Sequence, residues 1–275
     1  MPASLTVERK SVRSGGVNIA YSVQGSGPRT VLLVMGLGGR SADWGTALPS
    51  ALAERFRVVR FDNRGTGASD KPRDAFTLED MTRDAISVLD AVGAQKSHVV
   101  GISMGGMIAQ LLALDHAERV DHLVLMSTHF GGFNLVMPGP EVASIFMRQP
   151  DMSRDEIVRN ATRLITAPGF ADKHPEAIEE LVRLALVEPT PNAIFGSQLQ
   201  AVLGSDRSAR VSSIRAPTLI LHGDVDPLIP FENGRRLAQA MPNARFEVLK
   251  GCGHLPMWEA CDDVVELLFE FLPAD

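Results

Sequence analysis

Residues 101–106 read Gly-Ile-Ser-Met-Gly-Gly; they follow an apolar pair at 99–100 and precede an apolar helical pattern over 108–114. A serine between two glycines at a strand-to-helix junction is the sequence form of a nucleophile elbow, a sharp turn that exposes a reactive hydroxyl. The glycines are needed because a side chain beside the serine would collide with the neighbouring strand or helix. The stretch therefore predicts Ser103 as a nucleophile between a buried strand and a helix.

A serine nucleophile needs a base to take its proton, and the base needs a carboxylate to hold it in the right tautomer. In the chain order usual for this elbow, the acid and then the histidine follow later strands. Residues 217–221 predict a buried strand that leads into a turn-rich loop with Asp224 and Asp226. Residues 246–249 predict the next strand, which Gly-Cys-Gly-His follows at 251–254. His254 is the candidate base, and both aspartates are candidate acids.

These motifs, together with Phe-Asp-Asn-Arg-Gly-Thr-Gly-Ala-Ser-Asp at 61–70, resemble the α/β-hydrolase family in their order. The resemblance extends from about residue 17 to the end of the chain. It implies that Asp226 is the acid, because this residue occupies the family's G-x-x-D position. Asp224 is then expected to be a solvated loop residue and is the fallback for the role.

Acyl chemistry also needs hydrogen-bond donors for the oxygen that becomes an oxyanion. In elbow enzymes one donor is the N–H after the nucleophile, here Met104, and the other comes from a glycine-rich loop after an early strand. Residues 31–34 predict that strand, and Met-Gly-Leu-Gly-Gly follows at 35–39, so Leu37 is the expected second donor. Met35 stands where the family usually has histidine. A phosphate-binding loop is the alternative, but neither G-x-G-x-x-G nor G-x-x-x-x-G-K-[ST] is present.

The remaining histidines are expected to have structural roles, with one exception. His98 and His222 border predicted core strands, whereas the histidines at 116, 122 and 174 lie in polar surroundings and are expected at the surface. His129 follows the strand over 123–126 at the edge where open α/β sheets bind ligands, so it is a candidate for substrate contact. There is no H-E-x-x-H spacing and there are only two cysteines, so we expect neither a catalytic metal nor another cofactor.

Length and composition fit one enzyme-sized unit with a small-molecule substrate. The chain has 275 residues, of which 45% are hydrophobic, and a formal net charge of -6 without basic clusters. This charge pattern argues against nucleic-acid and anionic-membrane partners. No stretch is long and apolar enough to span a membrane, residues 1–16 do not form a signal peptide, and the two cysteines suggest reduced thiols. We therefore expect a cytoplasmic location.

The pattern of predicted elements indicates an α/β-hydrolase fold, with a mostly parallel central sheet flanked by helices. A helix is predicted over 78–92, capped near Thr77 and followed by Gly93. The alternation of strands and helices stops after residue 128, and amphipathic helices follow, one of them capped by Ser153. The core is therefore expected at 1–129 and 214–275, with a helical cap at 130–213 inserted after the sixth strand.

A cap over the elbow would exclude water and shape the substrate pocket. Phe133 and Phe146 belong to an apolar cluster at the start of the cap, and Trp44 shortly follows the glycine-rich loop. Each is a candidate for substrate contact, and helix packing is the competing role.

The resemblance implies a serine hydrolase that cleaves a small or medium carboxylic ester or lactone. Carbon-carbon bond hydrolysis of dienoic diketo acids uses the same triad and is the alternative. A ligand receptor that keeps the triad is a further possibility, because fold alone does not set function.

Overall fold

A single sheet dominates the computed structural model, which describes residues 8–133, 135–147 and 151–275. Its strand order is β1-β2-β4-β3-β5-β6-β7-β8. The pairs β1–β2 and β2–β4 are antiparallel, and the other neighbouring pairs are parallel. The mostly parallel sheet expected from the sequence is thus confirmed. The strands are β1 Glu8–Ser14, β2 Val17–Gln24, β3 Thr30–Val34, β4 Arg57–Phe61, β5 Ser97–Ile102, β6 Val120–Met126, β7 Thr218–Gly223 and β8 Ala244–Leu249.

Helices cover both faces of the sheet. Because side chains alternate along a strand, Leu32 and Val34 pack into one core cluster while Val31 and Leu33 pack into the other. The first cluster includes side chains of α2, α3 and α9, and the second includes those of α1 and α11. These helices are α1 Ala47–Ala53, α2 Leu78–Ala91, α3 Met104–Asp115, α9 Phe231–Ala240 and α11 Cys261–Phe271, with the short α10 Pro256–Glu259 before the last.

The insertion after β6 is helical, as the sequence predicts. Its helices are α4 Pro140–Ala143, α5 Arg154–Ile165, α6 Phe170–Lys173, α7 Pro175–Val187 and α8 Asn192–Leu203. Helices α5 and α7 pack against each other, whereas Ile194 and Ala201 of α8 join the core cluster on the α2 face. The cap is therefore anchored to the core through its last helix.

Two predicted helix starts are present with their capping boxes. Thr77 accepts a hydrogen bond from the Asp80 N–H and caps α2, and Ser153 accepts one from the Glu156 N–H and caps α5. Within the described residues, no helix has the length and apolar character needed to cross a membrane.

Candidate active site

Ser103 lies in the sharp turn between β5 and α3, with φ 55° and ψ -123°. This is a strained conformation for a residue with a side chain, and such strain concentrates at functional sites. Two hydrogen bonds hold it: the Ser103 N–H donates to the Met126 carbonyl at 2.9 Å, and Thr128 Oγ1 donates to the Ser103 carbonyl at 2.7 Å. The end of β6 thus fixes the turn, and the Ser103 side chain remains partly exposed.

The two glycines of the motif are required by close backbone contacts. A Cβ atom on Gly101 would lie 2.3 Å from the carbonyl oxygen of Gly105, at the start of α3. A Cβ atom on Gly105 would lie 2.0 Å from the carbonyl oxygen of Val34. These are the collisions with helix and strand that the sequence pattern predicts, and they let α3 begin directly against β3 and β5.

His254 and Asp226 form a buried pair at the same edge of the sheet. His254 Nδ1 lies 2.9 Å from Asp226 Oδ2, and both side chains are buried. The other carboxylate oxygen accepts the N–H groups of Leu228 and Ile229, each at 2.9 Å. Because the carboxylate accepts a hydrogen bond from the Nδ1–H group, the neutral imidazole keeps its lone pair on Nε2, where a general base needs it.

Glu259 of α10 holds the loop that carries His254. Its two carboxylate oxygens accept the N–H groups of Gly253 and Leu255, each at 2.9 Å, so the loop is tied on both sides of the imidazole. The same carboxylate accepts the N–H of Ala167 at 2.7 Å, and the His254 N–H donates to the Ile165 carbonyl at 3.0 Å. The histidine loop is therefore bonded to the cap as well as to the core.

Asp224 lies elsewhere in its loop. One of its oxygens accepts the Gly251 N–H at 2.7 Å, and the other lies 3.3 Å from Lys250 Nζ. These contacts support the turn before His254. Of the two aspartates, the structure thus brings Asp226 to the histidine.

His222 packs behind the pair. Its Nε2 lies 2.8 Å from the Ile229 carbonyl oxygen, to which it must donate, and 3.5 Å from Asp226 Oδ2. Burial lowers the pKa of His222, so the ring is neutral at pH 7. The packing role expected from the sequence agrees with this placement.

The glycine-rich loop after β3 lies against the Ser103 side chain. A Cβ atom on Gly36 would be 3.2 Å from Ser103 Cβ and 3.7 Å from its Oγ. The N–H of Leu37 donates to no acceptor in the part of the chain that the structure describes. Met104 is the first residue of α3, so its N–H has no partner within the helix. Both main-chain donors are therefore available beside Ser103.

Gln198, a fully buried residue of α8, holds this loop from the cap side. Its Oε1 accepts the Gly38 N–H at 2.8 Å, and its Nε2 donates to the Arg64 carbonyl at 3.2 Å. Thr190 Oγ1 adds a bond to the Gly38 carbonyl at 2.7 Å. From the core side, Asn63 Nδ2 donates to the Met35 carbonyl at 2.8 Å. Cap and core thus both position the peptide next to Leu37.

The aromatic residues predicted to contact substrate lie in three different environments. Trp44 is buried in the core cluster on the α1 face, a location that favours helix packing. Phe133 is fully exposed. Phe146 is partly buried, and its ring centroid lies 6.3 Å from that of Phe195, whose ring would lie 2.9 Å from a Cβ atom on Gly38. Phe146 and the unpredicted Phe195 therefore form an aromatic pair over the glycine-rich loop.

His129 follows β6 and is partly buried near the other site histidines. Burial, aided by the charge of Arg207, lowers the pKa of His129 to about 4, so the ring is neutral at pH 7. Its Nδ1 accepts the Gly131 N–H at 3.0 Å, which leaves the ring proton on Nε2. His129 thus offers a neutral hydrogen-bond donor at the ligand-binding edge.

Glu259, Gln198 and Phe195 were not identified from the sequence. Each acts through residues far away along the chain, and an isolated glutamate, glutamine or phenylalanine has no motif. The available signals were that Gln198 and Phe195 lie within the expected cap and that Glu259 closely follows His254 in the sequence.

A serine elbow under a loop of main-chain donors, at the carboxyl edge of a parallel sheet, is the arrangement of a hydrolase that acts through a nucleophile. The chain belongs to the α/β-hydrolase family, whose sequence model, described as alpha/beta hydrolase fold, matches residues 29–260. It is an enzyme of the hydrolase class.

Relatives of this chain have different reactions in their names. It is 32% identical over 246 residues to a protein named putative carbamate hydrolase RutD from Caulobacter segnis, covering 86% of this chain and 89% of the relative. It is 29% identical over 274 residues to a 2-hydroxy-6-oxononadienedioate/2-hydroxy-6-oxononatrienedioate hydrolase from Paraburkholderia phymatum, covering 95% and 94%. The structure of a thermophilic esterase from Thermogutta terrifontis superposes with a TM-score of 0.80 at 25% identity, covering 96% and 97%.

Proposed function

We propose that the protein is a serine hydrolase that cleaves a small or medium carboxylic ester or lactone. The observation that carries the proposal is the buried His254–Asp226 pair, 2.9 Å apart, at the same sheet edge as the strained Ser103. Since an anchored carboxylate sets the imidazole tautomer, the histidine has its lone pair ready for a serine proton.

The chemistry follows from these groups. Ser103 Oγ attacks the carbonyl carbon while His254 Nε2 takes its proton, and Asp226 stabilises the imidazolium that forms. The carbonyl oxygen becomes an oxyanion that accepts the N–H groups of Leu37 and Met104. His254 then donates the proton to the departing alkoxide, which leaves an acyl group on Ser103. Water then attacks the acyl carbon while His254 takes its proton, and His254 returns that proton to Ser103 Oγ as the acid leaves.

The pocket wall favours a neutral substrate with an apolar group. Phe146 and Phe195 provide an aromatic surface beside the donor loop, and His129 provides one neutral donor. The names of two relatives, a carbamate hydrolase and an esterase, refer to acyl transfer at a carbonyl carbon. The two free cysteines are consistent with the cytoplasmic location that we propose.

Carbon-carbon bond hydrolysis is the second candidate, and it is favoured by the dienedioate hydrolase relatives. Arg207 is a buried guanidinium, and burial lowers its pKa to about 10, so it stays charged, but its Nε and Nη1 already donate to Gln110 Oε1 and Ser205 Oγ. A dienoate substrate needs such a cation for its carboxylate. Against this, the cap arginines 159, 163 and 183 each pair with an acidic side chain, and Arg148 lies outside the described residues.

A substrate panel on wild type and Ser103→Ala tests the proposal. Wild type should hydrolyse short aryl esters or methyl esters, and the variant should lose about 10⁴ to 10⁶ in turnover while keeping its fold. A fluorophosphonate should label Ser103, as located by mass spectrometry. Rapid bleaching of a yellow dienolate with only weak esterase activity would instead select carbon-carbon hydrolysis. Near wild-type turnover in the variant would refute the nucleophile.

A further inference from the structure

A cluster of three side chains lies at the end of the sheet opposite to Ser103, where β5 and β6 begin. His98 is the second residue of β5, and Asp121 and His122 are the second and third of β6. Between the pairs Ser97–Val120 and Val99–Leu123, β6 contains one residue more than β5, which is a β-bulge. Bulges redirect side chains. Here Asp121 Oδ2 lies 3.6 Å from His98 Nδ1, and the two imidazole centroids are 5.1 Å apart.

Two imidazole nitrogens in this cluster have no hydrogen-bond partner. The His98 side chain is fully buried, and its Nε2 lies 2.9 Å from the Pro273 carbonyl oxygen, to which it must donate. His98 Nδ1 therefore carries a lone pair, and no described residue donates to it. His122 Nδ1 is also buried and unpartnered, 3.7 Å from Asp121 Oδ2. Such buried orphan atoms are rare and need an explanation.

We propose that His98, Asp121 and His122 bind one divalent transition-metal ion of the zinc, cobalt or nickel type. The three ligand atoms lie within 4.8 Å of one another. Tetrahedral coordination with bonds near 2.1 Å places ligand atoms about 3.4 Å apart, so the two distances to Asp121 Oδ2 require only small side-chain shifts. Water would complete the coordination. Two imidazoles among three ligands favour zinc-like ions over calcium or magnesium.

The surroundings of His98 are those of a metal ligand. A histidine that binds a metal usually donates its other ring N–H to a carbonyl or carboxylate, which fixes tautomer and orientation. The Pro273 carbonyl already does this for His98. The His122 ring packs edge-on against Phe271, with centroids 5.3 Å apart. An ion here would therefore link β5 and β6 to the C-terminal segment.

Two cations compete for the same carboxylate. Lys96 Nζ lies 3.2 Å from Asp121 Oδ1, and Arg29 Nη1 lies 3.5 Å from Oδ2, the oxygen that faces both imidazoles. Both side chains are about half exposed, so each can turn into water. Lys96 can remain on Oδ1 while a metal takes Oδ2, but Arg29 must leave. Removal of Arg29 should therefore strengthen metal binding.

The site is independent of the proposed reaction. Ser103 follows the last residue of β5, which is about 13 Å along the strand from His98 at roughly 3.3 Å per residue. The ion would stabilise the sheet and take no part in catalysis. The sequence did not indicate it, because its ligands come from two strands that a bulge aligns.

Titration of the tag-free full chain with CoCl₂ and ZnCl₂ tests this inference. Wild type should bind one ion, with the visible absorption of four-coordinate Co²⁺, and Zn²⁺ at about 100 times its Kd should raise Tm by roughly 5 °C. Asp121→Asn and His122→Phe should each weaken binding by about tenfold or more. Phenylalanine keeps a ring against Phe271. Arg29→Gln should bind more tightly than wild type.

His174→Ala is the matched control, since it removes an exposed histidine that lies 3.6 Å from Glu176. It should leave the affinity for the metal ion unchanged. Circular dichroism checks that each variant is folded, and if Asp121→Asn is not, His122→Phe and Arg29→Gln decide the outcome. Absence of one-to-one binding in wild type would overturn the inference. So would binding that persists unchanged in the folded ligand variants.

Discussion

Replacing Gln198 by methionine tests whether the cap positions the donor loop. Methionine keeps the length of the side chain but can neither accept from the Gly38 N–H nor donate to the Arg64 carbonyl. Each main-chain group left buried without a partner costs about 1–3 kcal/mol, so the free energy of unfolding should fall by roughly 2–4 kcal/mol after some relaxation. Because Gly38 follows Leu37, the Leu37 N–H should also lose its fixed direction.

Loss of one oxyanion donor costs about 10² to 10³ in kcat, and a misplaced donor costs less, so we expect a decrease of about 10- to 100-fold. KM should change little, because the donor acts mainly on the transition state. The assay is steady-state hydrolysis of a short aryl ester, well below the unfolding temperature, with urea unfolding in parallel. Ser197→Ala is the control, since this half-buried neighbour on α8 donates its hydroxyl to the Ala193 carbonyl within its own helix. A destabilised methionine variant with kcat within twofold of wild type would show that Gln198 stabilises the cap but does not position the donor loop.

Three other substitutions examine groups of the triad and around it. Asp226→Asn should lower turnover by about 10⁴, because the imidazole loses its orienting carboxylate. Asp224→Asn alters the turn at Gly251 and should lower turnover little. If steady-state kinetics show the reverse order, Asp224 is the acid. His129→Gln should make the free energy of unfolding less sensitive to acid. The pKa of His129 in the folded protein is about 4, below the usual 6.5, so between these pH values the unfolded chain binds a proton that the folded protein does not. The wild-type protein therefore loses stability as the pH falls from 6.5 to 4. The wild-type free energy of unfolding should therefore decrease by up to about 3 kcal/mol more than that of the variant between pH 7 and 4. Urea unfolding at both pH values measures this difference, and equal decreases would show that His129 is not kept neutral by the fold.

The elbow and the helix caps were predictable because their signals are contiguous. Ser103 and its glycines obey local steric rules, and Thr77 and Ser153 each reach a partner three residues away. The mostly parallel sheet and the insertion after β6 followed from the periodicity of apolar residues. The order of Asp226 and His254 along the chain was also visible, since the family resemblance places each on a loop after a strand.

Contacts between distant segments were decided by the tertiary structure. Gln198 and Gly38 are 160 residues apart, and Glu259 and Ala167 are 92 apart, so no spacing in the sequence relates them. Trp44 had two equally plausible environments, and only packing of the helix against the sheet placed it in the core. His98 and His122 became neighbours through a bulge in strand pairing. A sequence determines which groups are available and their local geometry, whereas the distance between remote groups depends on how the whole chain packs.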